Sequence, residues 1–450
     1  MASKRVKSTY RLQSSIFFFL YIFLFCFSGV YCSARDILKH GQWIIDNGST
    51  LVSAGEKFEL GFFTPSKGSS SKRFIGIWYR NWGGQQAVVW VANRDSPILN
   101  GSTGMFGIAE DGNVKVLDNS SSGKKYWSTD LNKASSTNRT VKLMDSGNLV
   151  LSDDDQPAMS LWESFKNPTD TFLSGMKMDE KITLDSWKNS DDPGSGDFKF
   201  KQDELGEGSY VITNKAVTYW KSRIKGTFMS SDKLPSRISN LLSNFSPNST
   251  SYPKKEPKPN DNYARLVIDF SGEFRYLVWD KNNQDWSMEW WEPEDQCSIY
   301  NACGKFGSCN INNRFTRCKC LPGSKPTDPE KWNNLIFSQG CTQTSTSCDK
   351  SKTFLPLKMM KVSNMPDTET EVENEEKCKK LCDEECQCQA YSYAVTENNT
   401  QRGTTSTRAN KCWIWNNDLS DLQEEYVHGR NISVRVAKSD IGIYPFYKLN

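Results

Sequence analysis

Cysteine offers the first chemistry in this sequence. Twelve of the 14 cysteines lie between Cys297 and Cys412; the other two, Cys26 and Cys32, sit near the N-terminus. The twelve divide into two sets of six, C-x5-C-x5-C-x8-C-x-C-x20-C from Cys297 and C-x29-C-x3-C-x3-C-x-C-x23-C from Cys348. Thiols at that density either pair with one another or hold zinc. Cys-only zinc sites favour C-x2-C hairpins, whereas the close pairs here are Cys318/Cys320, Cys386/Cys388 and the i, i+4 pair Cys378/Cys382. An even count in an exported chain predicts six disulfides. Histidine is scarce: His40 and His428 are the only two. That argues against a His-based metal site and against a Ser-His-Asp centre. The acids single out no hydrolytic pair, and Asp153-Asp154-Asp155 lacks the spaced ligands of a calcium loop. No catalytic residue, metal or cofactor is expected.

Export is written at the N-terminus. Lys4, Arg5, Lys7 and Arg11 precede an apolar run from Ile16 to Phe27, and small residues follow to Ala34. This is the pattern of a secretory signal peptide cut near Ala34, and the run of ~12 is shorter than a spanning helix requires. Removing those four cations leaves 52 basic against 53 acidic residues. Nucleic-acid binding through phosphate neutralisation is therefore not expected. Eight N-x-S/T sequons, at Asn47, Asn100, Asn119, Asn138, Asn244, Asn248, Asn398 and Asn431, predict glycans on surface loops.

The elements that must position these residues are mostly strands. Short alternating runs recur at 57–63, 73–79, 87–91, 112–117 and 147–151, parted by Gly, Asn, Asp and Ser. Many short strands with turn chemistry between them predict a sandwich, barrel or prism. A quiet repeat links Glu110-Asp-Gly-Asn-Val-Lys-Val-Leu-Asp118 with Met144-Asp-Ser-Gly-Asn-Leu-Val-Leu-Ser-Asp153, a turn that tolerates positive φ feeding an alternating strand. Further strands are expected at 209–213, 216–220, 264–270 and 273–279, the last two joined by Ser271-Gly272. Residues 231–262, rich in Ser, Asn, Lys and Pro, read as a solvated loop outside the core. The single expected helix is Glu373 to Cys386, with acids at its start and Cys378 and Cys382 on one face. Trp78, Trp90, Trp127, Trp290 and Trp291 could stack on sugars, but such residues more often fill β cores.

The order of motifs resembles the extracellular region of plant S-domain (G-type lectin) receptor-like kinases and of their soluble relatives, the S-locus glycoproteins. Trp90-Val-Ala-Asn-Arg-Asp-Ser-Pro97 is similar to the family's bulb-type lectin domain. Leu161-Trp-Glu-Ser-Phe-Lys-Asn-Pro-Thr-Asp170 with the run on to Lys177, then Trp187-Lys-Asn-Ser-Asp-Asp-Pro-Gly194, resemble its S-locus domain. Residues 295–309 and 318–323 resemble its EGF-like module; Cys378 to Tyr391 with Cys412-Trp-Ile-Trp415 resemble its PAN/apple domain. The implied fold is mainly β and multidomain: signal peptide 1–34, lectin β-prism 35–160, S-locus domain 161–292, EGF-like module 293–341, an α+β PAN/apple domain with one helix at 348–436, and a tail at 437–450. The implied pairings are Cys297–Cys309, Cys303–Cys318, Cys320–Cys341, Cys378–Cys412, Cys382–Cys388 and Cys348–Cys386. Spacing alone leaves fifteen connectivities for each set of six. Glu292, Glu294 and Asp295 stand where some EGF-like modules bind calcium, as a partial match.

Bulb-type lectins hold mannose with Q-x-D-x-N-x-V-x-Y on a strand, polar side chains meeting hydroxyls and valine meeting the sugar's CH face. In the first repeat Asp111 and Asn113 match, while Ala109, Lys115 and Leu117 replace Gln, Val and Tyr. In the second, Asn148 and Val150 match, while Met144, Ser146 and Ser152 replace Gln, Asp and Tyr. A degenerate sugar site is therefore expected. In relatives a transmembrane helix and a serine/threonine kinase follow; here Ile441 to Asn450 closes the sequence without kinase motifs.

The resemblance implies a secreted, glycosylated recognition protein of the apoplast, tied to pollen recognition or defence sensing. Its partners would be an extracellular peptide, protein or glycan, with a second copy or a receptor kinase alongside. The alternatives are a working mannose lectin and a truncated gene model of a receptor resident at the plasma membrane. Mass spectrometry of the exported chain is expected to find the twelve clustered cysteines oxidised, with no zinc bound. Free thiols at those positions would overturn the disulfide reading.

Overall fold

The structure is a computed structural model. It describes residues 35–65, 72–81, 86–99, 103–120, 123–131, 138–154, 159–204, 208–222, 228, 234–243, 263–313, 317–344, 351–397, 408–427 and 429–439. The signal segment with Cys26 and Cys32, Cys348, His428, Asp155, Asn100, Asn244, Asn248, Asn398 and residues 440–450 lie outside them.

Alternation of apolar and polar residues marks strands of the first two sheets, while the third has strands buried on both faces, Lys72–Tyr79 and Val88–Val91. Val114–Asp118 and Arg139–Leu143 bury alternate side chains on one face, as a strand's two-residue period requires, and Leu149–Asp153 buries Leu149 and Leu151 the same way with Ser152 buried in addition. One sheet runs Lys125–Ser128, Val114–Asp118, Gly104–Ile108, Trp43–Ile45; a second runs Ile37–Lys39, Arg139–Leu143, Leu149–Asp153, Ser160–Glu163. The third runs Thr50–Val52, Phe58–Phe63, Lys72–Tyr79, Val88–Val91, with Ile98–Leu99 added beside Lys72–Tyr79. Leu38, Ile44, Leu60, Phe106, Val116, Val141 and Leu151 from all three meet in one core. The strand Ser160–Glu163 pairs with Leu149–Asp153, so this unit reaches past residue 160.

Two more four-stranded sheets follow, Thr171–Leu173 with Ala264–Ile268, Phe274–Asp280 and Asp285–Glu292, and Thr183–Asn189 with Asp192–Gln202, Tyr210–Asn214 and Val217–Lys221. Their buried residues, among them Phe172, Leu184, Phe200, Leu266 and Phe274, belong to the same apolar cluster as the first three sheets. The expected solvated loop at 231–262 needs correction where it is described: Ser236–Leu242 is a helix, and Ile238 and Leu242 are fully buried against that cluster. Ile238 and Leu242 are spaced i, i+4, one helical face. The polar residues around them conceal so short a signal.

The two Cys-dense segments are fused by a single sheet. Its order is Cys318–Cys320, Gly307–Cys309, Leu422–Gln423, Lys352–Val362, Arg430–Ala437, Ala390–Glu397, Arg408–Trp415, Thr368–Glu371. The parallel pairing of Gly307–Cys309 with Leu422–Gln423 carries it across. Buried Glu424 strengthens the seam by accepting from Ser308 Oγ at 2.7 Å, Asn310 Nδ2 at 3.2 Å and Lys319 Nζ at 2.7 Å. Disulfides join Cys297–Cys309, Cys303–Cys318, Cys320–Cys341, Cys378–Cys412 and Cys382–Cys388, and Cys386 is also disulfide-bonded. A loop of 15 residues, as between Cys303 and Cys318, gains ~3 kcal/mol from closure on chain-entropy grounds. The helix Glu375–Glu384 starts at Asn374, whose Oδ1 accepts from Lys377 N at 3.0 Å. It ends against the buried guanidinium of Arg435, which donates to Cys382 O and, at 3.1 Å, to Glu385 O. Cys378 and Cys382 tie it to the strand Arg408–Trp415 and to Cys388. Two short helices, Ser236–Leu242 and Pro329–Asn333, add to the one expected from sequence.

The first three sheets meet the next pair at Arg94 and Asp95. Arg94 is 9% exposed; its Nε donates to Pro193 O at 2.8 Å and its Nη2 to Asp185 O at 3.0 Å and Ser186 O at 2.8 Å. Asp95 accepts from Ser195 N at 2.7 Å and Ser195 Oγ at 2.9 Å. Gly196 is required beside this contact, because a Cβ there would lie 2.2 Å from Trp187 O. Replacing Arg94 by alanine is expected to cost ~3 kcal/mol or more, since buried carbonyls lose their donors and Asp170 loses its counter-charge. Arg94→Lys should recover only part, as one ammonium cannot serve three carbonyls. Urea unfolding tests this; an unchanged midpoint for Arg94→Ala would remove Arg94 from the joint.

Candidate recognition surfaces

The two sequence repeats fold into the same hairpin. In the first, Ala109 N donates to Asn113 O and Gly112 N to Ala109 O, with Gly112 at φ 73°. In the second, Met144 N donates to Asn148 O and Gly147 N to Met144 O, with Gly147 at φ 87°. The turn at Ser271-Gly272 is a third copy: Asp269 N donates to Glu273 O, Gly272 N to Asp269 O, and Gly272 takes φ 90°. Only the left-handed conformation closes this loop, which is why glycine holds the position.

The asparagines of the degenerate sugar pattern are turned into the protein. Asn113 is 7% exposed; its Oδ1 accepts from Thr129 Oγ1 at 2.9 Å and Leu131 N at 2.7 Å. Asn148 is 9% exposed; its Oδ1 accepts from Phe165 N at 3.1 Å and Ser164 Oγ at 3.2 Å, and its Nδ2 donates to Glu163 Oε2 at 2.9 Å. Each clamps the segment that follows its own hairpin. Asp111 points outward and forms an ion pair of 2.6 Å with Lys115 Nζ. Burial opposes ionisation of Asp111, yet the bonds from Lys115 and Asn113 outweigh it and hold the carboxyl below its usual range. Val150 is half-buried, opposite Glu163 in the neighbouring strand.

Glu163 and Trp162 escaped the sequence reading as site-shaping residues. Glu163 accepts from Asn148, from Ser160 Oγ at 2.5 Å and from Lys166 Nζ at 2.7 Å. Trp162 closes a ring of three indoles with Trp90 and Trp127, centroids 5.5–5.7 Å apart and every pair edge-to-face. Edge-to-face rings are mutually attractive, so this trio fills the prism. Their signal was one tryptophan on the end strand of each of the three sheets, at 90, 127 and 162, close to the spacing of the hairpin repeat. Trp78 is buried, Trp290 and Trp291 are half-buried, and Trp290 packs edge-to-face on Phe274.

Among the acids before Cys297, Asp295 Oδ1 already accepts from Cys297 N at 2.6 Å and Ser298 N at 2.9 Å. Glu292 Oε2 accepts from Trp220 Nε1 at 3.1 Å. Burial, then repulsion from Glu294, lifts the Glu292 carboxyl to about 7, against the pull of the Trp220 bond and Lys361. Sulfurs of Cys303, Cys309 and Cys318 cluster, but all three are bridged. The sequons at Asn47, Asn119, Asn138 and Asn431 lie exposed.

A groove of about 1090 Å³ opens between the hairpin Tyr210–Asn214/Val217–Lys221 and the first Cys-dense segment. Tyr300 N donates to Tyr219 O at 2.8 Å at its base, where Lys221 also lies 5.4 Å from the Tyr300 ring centre. Burial raises the hydroxyls of both Tyr219 and Tyr300, so they remain donors at neutral pH.

These sheets, hairpins and cystine frameworks define a modular, mainly β protein with lectin, S-locus and PAN-like parts. A D-mannose binding lectin model matches residues 87–189, an S-locus glycoprotein domain model 218–328 and a PAN-like domain model 348–422. An S-locus-specific glycoprotein of Brassica oleracea var. alboglabra is 32% identical over 443 residues, covering 95% of this chain and 96% of that protein. The chain belongs to this family. A G-type lectin S-receptor-like serine/threonine-protein kinase of Arabidopsis thaliana is 43% identical over 445 residues, 95% of this chain and 50% of the kinase. Receptor-like serine/threonine-protein kinase SD1-8 of the same plant is 34% identical, over 94% of this chain and 49% of its own length. The chain thus spans about half the length of the receptor kinases it matches, and the family-model matches fall on the ectodomain modules. Among the described residues no helix is long and apolar enough to cross a membrane. Among solved structures, the Japanese Marasmius oreades lectin aligns with 29% of this chain and 90% of its own at 15% identity and a TM-score of 0.21, too loose a match to argue from.

Glu292 generates a pH prediction. Its folded pKa of about 7 stands above the ordinary 4.5, so the native state holds a proton that the unfolded chain releases. The stability this proton gives is complete below 4.5 and is lost as pH rises to about 7. At 1.36 kcal/mol per unit the loss is up to ~3 kcal/mol. Melting of Glu292→Gln should therefore gain on the parent between pH 5 and 8, and equal gains at both pH values would contradict the assignment.

Proposed function

We propose that this chain is a non-catalytic extracellular recognition protein whose lectin part has abandoned mannose. The observation that supports this best is the ion pair between Asp111 and Lys115. A mannose site needs an acceptor free for hydroxyls and an apolar side chain beneath the ring. Lys115 occupies the valine position and engages the aspartate, while Asn113 and Asn148 are committed to internal bonds. Each missing or misdirected partner costs ~1–3 kcal/mol, and a millimolar monosaccharide complex has only ~4 kcal/mol to lose.

Recognition then falls to the outer loops and inter-module grooves, held on a disulfide-braced frame. Export, glycosylation of exposed asparagines and self-association through the EGF-like and PAN/apple parts complete the reading. Presented alone, such a chain would act as a soluble competitor or co-receptor beside membrane-bound kinases of its family. Titration calorimetry with mannose and a glycan array test the sugar half. No heat up to millimolar mannose and no mannose-specific array signal are expected; saturable mannose binding would restore the lectin reading.

A further inference from the structure

The geometry points to a peptide-binding site in the groove between the S-locus hairpin and the EGF-like module, with an acidic, extended extracellular peptide as its occupant. The inference rests on the recognition reading above and names the partner chemistry. One wall is Lys215, Val217 and Tyr219; the other is Tyr300, Arg317 and Phe337. The volume of about 1090 Å³ suits several residues of a chain lying lengthwise.

Charge and exposure select the occupant. The lining includes two cations and no carboxylate. Lys215 has only an exposed partner, Asp197, at 3.6 Å, and a solvent-exposed pair of that length is readily exchanged for another carboxylate. Val217 is 71% exposed, Leu335 68% and Ile336 52%, so three large apolar side chains gather along one opening. Isolated exposed apolar residues are ordinary, but three lining one groove together with Arg317 and a loosely paired Lys215 mark a binding surface. The tyrosine hydroxyls, kept protonated by burial, add donors for backbone carbonyls or carboxylates. An acidic segment carrying one or two apolar side chains complements all three features. A mannose oligomer would leave both cations unmatched.

The frame around the groove is rigid. Cys318, in its lining, is bonded to Cys303, and Asn301 exchanges bonds with Asp421: Asn301 N donates to Asp421 Oδ1 at 2.7 Å and Asp421 N to Asn301 Oδ1 at 3.0 Å. A peptide binding here meets a preformed cleft, which reduces the ordering cost of association.

The test is selection of a displayed random dodecapeptide library on the full glycosylated chain, followed by affinity measurement of the enriched peptides by biolayer interferometry. The enriched pool is expected to be acidic with an aliphatic or aromatic residue. Binding should weaken by about tenfold or more in Lys215→Glu/Arg317→Glu, and also in Val217→Asp, with melting temperatures unchanged. Salt should weaken it as well. A basic or neutral pool, or no enrichment, overturns the inference. Acidic peptides whose affinity is the same in both variants would move the site elsewhere and leave the recognition reading standing. Saturable mannose binding in the separate titration would sink that reading instead.

Discussion

One guanidinium ties the two β units of this protein together. Arg94 leaves the first three sheets and gives its hydrogens to the carbonyls of Asp185, Ser186 and Pro193 in the next pair. A buried arginine is tolerable only when its donors are matched and a counter-charge is near. Asp170 is the acid beside it, its carboxyl raised by burial against the pull of Arg94 and of the Thr169 bond. Arg265 lies in the same region, its guanidinium 4.4 Å from the Trp286 ring centre and donating to Val88 O at 3.3 Å. The two family motifs Trp90 to Pro97 and Trp187 to Gly194 thus meet in one joint. Their polar residues hold modules together.

The same economy of polar groups runs through the hairpins. A turn with a left-handed glycine leaves an asparagine at its exit, and that asparagine reaches the segment returning 16–18 residues later. In a sugar-binding relative the equivalent strand face would meet hydroxyls. Here Lys115 and Leu117 stand half-buried on that face, Ser152 is buried against Thr140, and the outward acid, Asp111, is paired with Lys115. Toward the other end, the seam from Gly307–Cys309 to Leu422–Gln423 merges a module too small for its own core with a neighbour that has one.

Much of the architecture was legible because its signals are local. Alternation at 112–117 and 147–151 announced strands, and Gly112, Gly147 and Gly272 announced turns. Acids ahead of lysines announced the helix now seen at Glu375–Glu384. The helix Ser236–Leu242 was not legible: two apolar residues one turn apart cannot outweigh a polar, proline-bearing neighbourhood until a core is there to receive them. Nor was Trp162 separable from the other indoles: residues 90, 127 and 162 keep roughly the spacing of the hairpin repeat, but other tryptophans such as Trp78 precede them, and only the folded sheets bring these three rings into contact.

The amino-acid order by itself settled the class of fold, the export-type cysteine usage, the glycosylation sequons and the family, since each depends on residue types a few positions apart. Tertiary structure alone decided where polar side chains face. Asn113 and Asn148 bind inward, Lys115 folds over Asp111, Arg94 crosses to another module, and Lys215 and Arg317 arrive at one groove from about 100 residues apart. The reason is physical: a hydrogen bond or a field between charges is set by distance and burial in space, and chain order fixes neither until the core has closed.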